Sequence, residues 1–270
     1  MQILSPADPT STGPTPAAIP PSLTEDGFLN GRLRILQPDK GYRAGIDAVF
    51  LAASIPGAGG ERIFEAGMGT GVAALCLAHR IPSLQITGIE LHARYALLAE
   101  ENARRNECGA GIKVIHGDIK DALRRDVAHM PAPASFAHVF ANPPYFEEGQ
   151  TTPSPIAAKA GAHSFGPEDL DQWVKALHSL LEARGTITLI YRAEAMTKVL
   201  AALEGRFGDV SVAPLFPRAG VPAARIIVQG IKGSRAPVQF LPGLVLHGPD
   251  GKFTPSAEAI LRDGADWRMR

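Results

Sequence analysis

The sequence is poor in cysteine, in net charge and in long apolar runs, and each lack excludes something. The two cysteines, Cys76 and Cys108, have no metal-type spacing. They read as plain reduced thiols of a cytosolic protein. Lysine plus arginine and aspartate plus glutamate number 27 each, so the net charge of zero gives no global sign of a nucleic-acid partner. No apolar run approaches the roughly 20 residues of a membrane helix, and the chain does not start with a cationic segment followed by an apolar one. These absences point to a soluble, cytoplasmic protein with no membrane partner, and they leave the oligomeric state open.

What is present is a chain of 270 residues that is 45% hydrophobic, enough for one large α/β domain with a small appendage. Residues 1–23 are rich in Pro, Ser and Thr and read as a disordered tail. Residues 24–56 read as an N-terminal hairpin and helix, with Asn30-Gly31 as a two-residue turn signal. Residues 57–236 carry alternating strand and helix signals, and residues 237–270 form a C-terminal extension. Charge is unevenly spread: residues 184–270 hold twelve Lys/Arg against seven Asp/Glu. That local excess suits either a phosphate backbone or an ordinary solvated surface.

Within the central region, Arg62–Ala66 reads as a strand that runs into Gly67-Met-Gly69-Thr-Gly71 and then a helix from Val72. Such a glycine loop lets backbone approach a ligand, and the helix N-terminus offers free N–H groups. The dinucleotide fingerprint would need glycine at position 72, which is Val72, so a dehydrogenase is disfavoured. The next strand, Leu84–Glu90, ends in an acid nineteen residues beyond Gly71, placed to accept both hydroxyls of a ribose or to cap the helix that follows. That helix spans Leu91–Glu107, with Leu91, Tyr95 and Leu98 on one stripe. A third strand, Ile112–His116, leads to Gly117-Asp118-Ile119. Asp118 suits an adenine amino group of the cofactor, the N-cap of a helix near Ala122–Val127, or both.

The fourth strand, Phe136–Ala141, stops at Asn142-Pro143-Pro144-Tyr145. Neither proline has an N–H, so the loop offers acceptors and few donors. The Asn142 side-chain oxygen and the Pro143 carbonyl, beside the Tyr145 ring, suit a planar amino group such as the exocyclic nitrogen of adenine. A stacked ring would add ~1–3 kcal/mol per base. Residues 147–166 are a long Gly/Ser/Thr/Pro-rich loop of the lid or binding kind, carrying Lys159 and His163. Further on, the pattern predicts a helix from Pro167 to about Arg184 and a strand at Gly185–Tyr191. A helix at Ala193–Leu203 follows, then paired antiparallel strands at Asp209–Phe216 and Ala224–Ile231, with Arg218 on the loop between them. A strand at Gly243–His247 and a helix after Thr254-Pro255 close the chain.

Asn142 to Tyr145 resembles motif IV of amino-group methyltransferases that use S-adenosylmethionine, and Glu65-x-Gly67-x-Gly69-x-Gly71 resembles motif I of class I methyltransferases. The stretch Gly31 to Val49, with Gly41-Tyr42-Arg43-Ala44-Gly45-Ile46-Asp47, and the tail Phe253 to Arg262 are similar to the bacterial tRNA1(Val) adenine-N6-methyltransferase family. The resemblance implies an α/β fold: a Rossmann-like class I methyltransferase with a seven-stranded, mostly parallel sheet and helices on both faces. It implies S-adenosylmethionine as cofactor, tRNA as partner and no metal. It assigns cofactor contacts to Glu65, Gly67, Gly69, Gly71, Glu90, Asp118 and Ile119, with Tyr42, Arg43 and Asp47 shaping the methyl-donor pocket. It assigns the adenine to Asn142, Pro143, Pro144 and Tyr145. The methyl would pass directly to N6 of an adenine beside the anticodon of a valine tRNA. Two departures stand out: Glu65 where Asp is commoner, and Ala-Gly-Ala-His-Ser at 160–164 where an Arg-His-Glu-like stretch is expected. A protein glutamine N5-methyltransferase shares the Asn-Pro-Pro-Tyr quartet, and a non-catalytic nucleotide- or RNA-binding module is the alternative from another class.

Overall fold

The computed structural model describes residues 22–124, 129–144 and 169–269. Within them, the strand and helix signals resolve into one doubly wound sheet and a separate hairpin. The hairpin pairs β1 (Leu23–Phe28) with β2 (Leu33–Pro38) antiparallel. Helix α1 (Ile46–Ser54) follows. Then come β3 (Arg62–Ala66), α2 (Val72–Arg80), β4 (Gln85–Glu90), α3 (Ala93–Arg105), β5 (Ile112–His116) and β6 (Phe136–Ala141). The chain continues with α4 (Asp169–Leu180), β7 (Leu181–Arg192), α5 (Met196–Leu203), β8 (Phe207–Arg218) and β9 (Arg225–Lys232). It ends with β10 (Gln239–Phe240), β11 (Leu244–His247) and α6 (Pro255–Asp263).

The sheet order is β5-β4-β3-β6-β7-β9-β8, with β10 and β11 both laid parallel on the outer edge of β8. All neighbours from β5 to β7 are parallel, and β9 is antiparallel to both β7 and β8. The sheet therefore has nine strands, the seven that the resemblance implies and two short ones added at the β8 edge. The two added short strands cover what would otherwise be an exposed edge of β8.

The parallel strands read as near-continuous apolar runs because both faces are covered. Phe140 and Ile190 enter one core with α1, α2 and α6, while Val139, Ala141 and Leu189 enter the other with α4 and α5. The first core also takes Leu33 and Ile35 of the hairpin and Ala257, Ile260 and Met269 of the C-terminal extension.

Several boundaries differ from the sequence reading, for local reasons. The hairpin closes with four residues between paired Phe28 and Leu33, and Leu29, Asn30 and Gly31 all take positive φ, so Asn30-Gly31 sits inside a longer turn. Helix α3 begins at Ala93, because Glu90 accepts the His92 N–H and holds Leu91 out as a 51% exposed strand-end residue. Asp118 does cap a turn, accepting from Lys120 N at 2.9 Å, and the turn is a 3-10 helix over Ile119–Leu123; most of the helix expected near Ala122–Val127 lies outside the described residues. Helix α4 ends at Leu180, and β7 starts at once, with Arg184 at φ 67 inside the strand.

The hairpin is fixed to α3 by two asparagines one turn apart. Asn102 accepts from Leu36 N (2.8 Å) and donates to Leu36 O (3.0 Å) and to Thr70 O (2.9 Å). Asn106 accepts from Arg34 N (3.0 Å) and donates to Arg34 O (3.1 Å). The pair acts as a strand along the outer edge of β2, so a buried polar face is satisfied where an apolar one would leave the backbone orphaned.

Candidate active site

The carboxyl ends of β3, β4, β5 and β6 bring the sequence-predicted residues together. Register pairs Ala66 with Ala141, Ala66 with Ile89, and Glu90 with His116. Gly67 and Asn142 therefore leave neighbouring strands at the same level, roughly one strand spacing of ~4.8 Å apart. Connections from β3 run outward through β4 and β5, while β6 lies on the opposite side, so the crevice between β3 and β6 is a topological switch point of the kind that binds ligands.

The glycine loop is built by conformation and close approach. Gly67, Gly69 and Gly71 all have positive φ, at 68°, 57° and 84°. A Cβ on Gly67 would lie 2.7 Å from the ring of Trp173, and one on Gly69 would lie 2.8 Å from the ring of Tyr42. The loop folds back on Glu90, whose Oε2 accepts the Gly69 N–H at 2.8 Å while Oε1 accepts His92 N at 2.8 Å. Each carboxylate oxygen has further acceptor capacity, so two hydroxyls can still be received.

Glu65 is wholly enclosed on β3, and its Oε2 has no hydrogen-bond partner among the described residues. Burial, and then the Glu90 charge, push its carboxyl well above the usual carboxylate range; the Ala74 N–H in the first turn of α2 opposes this. The Tyr42 hydroxyl is pushed up as well, first by desolvation where the ring meets Gly69, although 47% of the residue is exposed, and then by Glu65, Glu90 and Asp47. Tyr42 also meets Tyr95 edge to face at 5.9 Å. Its loop is held by Gln37, which accepts from Ala44 N at 2.8 Å and reaches Thr70 of the glycine loop at 3.3 Å.

Of the three N-terminal residues assigned to the donor pocket, only Tyr42 lies on the glycine loop. The Arg43 guanidinium turns to the hairpin, donating to Pro38 O and Thr24 Oγ1 and pairing with Asp26. Asp47 pairs with Arg225 of β9 at 2.8 Å. Asp118 is half-buried past β5 and Ile119 is buried behind it. Beyond β6, Asn142 is half-buried, Pro143 buried and Pro144 exposed. The Tyr191 hydroxyl of β7 donates to Pro144 O at 3.4 Å. Tyr145, Lys159 and His163 lie outside the described residues, as does the loop at 147–166.

Sequence reasoning missed four contributors. Trp173 and Leu91 fall in stretches whose pattern predicts only helix, yet one covers Gly67 and the other flanks Glu90 on the open end of the sheet. Asn102 carried a usable signal, since it continues the Tyr95–Leu98 stripe at helical spacing and is polar. Gln37 carried none. Among the described residues no group of His, Cys, Asp and Glu has the arrangement of a metal centre.

The Methyltransferase small domain family matches residues 43–164, which contain the glycine loop, Glu90, Asp118 and Asn142. A tRNA1(Val) (adenine(37)-N6)-methyltransferase of Tolumonas auensis is 32% identical over 175 residues, 64% of this chain and 69% of that one. One of the same name from Aeromonas hydrophila is 27% identical over 230 residues, 84% of this chain and 92% of that one. The crystal structure of a predicted O-methyltransferase from Agrobacterium tumefaciens superposes with a TM-score of 0.67 at 27% identity, covering 82% of this chain and 98% of that one. With the strand order, the glycine loop and the Asn-Pro-Pro turn in place, these likenesses make the chain a member of the tRNA1(Val) (adenine(37)-N6)-methyltransferase family.

Proposed function

We propose that the protein transfers a methyl group from S-adenosylmethionine to the exocyclic N6 of an adenine in tRNA, the adenine beside the anticodon of a valine tRNA. The observation that carries this reading is the juxtaposition of Gly67 and Asn142 at the ends of paired strands, a glycine loop open to close backbone approach beside a segment with acceptors and few donors. A tRNA substrate also agrees with work in the cytoplasm.

The residues present fit the cofactor. Glu90 receives the ribose hydroxyls on the lone pairs that Gly69 and His92 leave open. Asp118 receives the adenine amino group, with Ile119 and Leu91 as apolar walls. The unpartnered Oε2 of Glu65 and the Tyr42 hydroxyl face the same loop and complete its polar lining. When bound, the cofactor supplies an activated methyl on a sulfonium centre, the reactive group of the reaction.

The chain's own residues supply alignment and a hydrogen-bond frame. The Asn142 side-chain oxygen and the Pro143 carbonyl accept the two N6 hydrogens, which holds the amino group and keeps its lone pair available. Two successive prolines keep competing donors out of the turn. Tyr191 fixes the far side of that turn through Pro144 O. The base must leave its stack to reach such a crevice. Glu65, Gly71 and the Asp47–Arg225 pair act on the frame and not on the base.

The test is incubation with methyl-labelled S-adenosylmethionine and separate pools of unmodified tRNA, rRNA, DNA and protein, followed by digestion of the labelled pool. N6-methyladenosine from tRNA is expected. Label on protein glutamine would overturn the substrate and keep the cofactor site; cofactor binding with no label in any pool would favour a silent binding module.

A further inference from the structure

The glycine loop, Glu90 and Asp118 use the β3-β4-β5 half of the sheet's carboxyl end. The other half, beyond Asn142, carries a row of basic residues, of which only Arg225 has been given a role so far. Register pairs Arg192 at the end of β7 with Arg225 at the start of β9, which is antiparallel and so begins at this same end. It pairs Arg218 at the end of β8 with His247 at the end of β11. Crossing from β6, the order is Arg192, Arg225, Arg218, His247, one strand after another. Lys252 is exposed on the turn that follows β11.

The charges in this row differ in availability. Arg192 is paired with Glu194, and Arg225 with Asp47. Arg218 and Lys252 are exposed and have no ion pair among the described residues; the Asp250 carboxylate near Lys252 accepts that residue's backbone N–H at 3.1 Å. Both sit on short, internally bonded turns. Val221 N donates to Arg218 O, and Gly248 N to Lys252 O at 2.8 Å. His247 ties the turns together, bonding Pro217 O at 3.1 Å and stacking on Phe253 at 4.5 Å. Cations on pre-set turns lose little freedom when they meet a ligand.

We infer that this half of the rim is the docking surface for the RNA backbone flanking the target adenine, with Arg218 and Lys252 as phosphate contacts. The inference rests on the tRNA reading above and says which surface receives the tRNA. Three strand spacings separate β6 from β8, about 14 Å. That is too far for the base held at Asn142 and within reach of nucleotides beside it. The opposite direction along the rim belongs to the cofactor residues, so the strand must leave the crevice over β7, β9 and β8.

The experiment compares the full-length protein, the variant Arg218→Ala/Lys252→Ala, and the control Lys113→Ala/Arg235→Ala. The control loses the same charge from exposed sites at the amino-terminal end of the sheet, near the start of β5 and just after β9. Binding of unmodified tRNA is titrated at several salt concentrations, with cofactor affinity and steady-state methylation measured in parallel. The rim variant should bind tRNA about tenfold more weakly, its KM for tRNA should rise about tenfold, and its log–log salt slope should shrink by about 1.5–2. Its cofactor affinity, its kcat at saturating tRNA and its thermal midpoint should stay at the parent values, and the control should match the parent throughout. An active parent with a rim variant that binds tRNA as the parent does, or with a control that loses as much, overturns the inference alone. A parent that methylates no tRNA overturns the functional reading, and the inference falls with it.

Discussion

The loops that leave β3 and β6 stand side by side and are chemical opposites. Gly67 to Gly71 works through its backbone: three glycines at positive φ, the Gly69 N–H on Glu90, and the rings of Tyr42 and Trp173 filling the room that side chains on Gly69 and Gly67 would take. Asn142 to Pro144 is different: its two prolines have no N–H, which leaves carbonyls, one amide side chain and few donors. The first kind of loop receives a ligand by close approach, the second by accepting hydrogens. The difference teaches that donor and acceptor are separated by which loop they come from, so damage to one should spare the other.

The sharpest break of that comparison is Asn142→Ala. It should lower kcat by roughly 10²–10³-fold, the scale of losing one pre-organised hydrogen-bond partner in an enzyme site, while cofactor affinity by calorimetry stays near the parent value. A matching loss of cofactor binding would show that the two loops are one site. Next is Gly69→Ala. Its Cβ would meet Tyr42 at 2.8 Å and force a side chain to φ 57. Cofactor affinity should fall by about tenfold, the scale of the 1–2 kcal/mol that a left-handed residue stores, with unfolding shifted to lower temperature. Unchanged cofactor affinity would mean that this glycine serves only the fold.

The smallest effect is a slope. Glu65 holds its proton in the folded protein above the ordinary value of 4.5 and releases it there on unfolding. Above that pH the native state binds more protons than the unfolded one, so its stability declines as pH rises. Glu65→Gln should flatten the decline, and urea midpoints between pH 5 and pH 8 should converge for the variant. Parallel curves for parent and variant would show that Glu65 is ionised in the native protein.

What could be read from the sequence was the part whose chemistry is local. The order of strands and helices, the glycine spacing, Glu90 at a strand end and the Asn-Pro-Pro stop all follow from neighbours in the chain. What could not be read depends on distant partners. Tyr42 and Arg43 are adjacent in sequence and face opposite ways, one to the glycine loop and one to Asp26, and only the hairpin decides which. Leu91 looked like the first residue of a helical stripe because nothing local shows that Glu90 caps the chain two residues on. The added strands β10 and β11 are short, and their reason to exist is an edge of β8 that periodicity does not reveal.

The asparagine pair on α3 has a consequence for exchange with solvent. A two-stranded hairpin is marginal by itself, and the outward amides of its second strand should open easily to water. Here Arg34 N and Leu36 N are bonded to Asn106 and Asn102. Their deuterium uptake should therefore be as slow as that of the main sheet. Because Asn102 also holds Thr70 O, an opening of the hairpin is an opening of the glycine loop, and cofactor at saturation should slow exchange at Leu36, a residue it never touches.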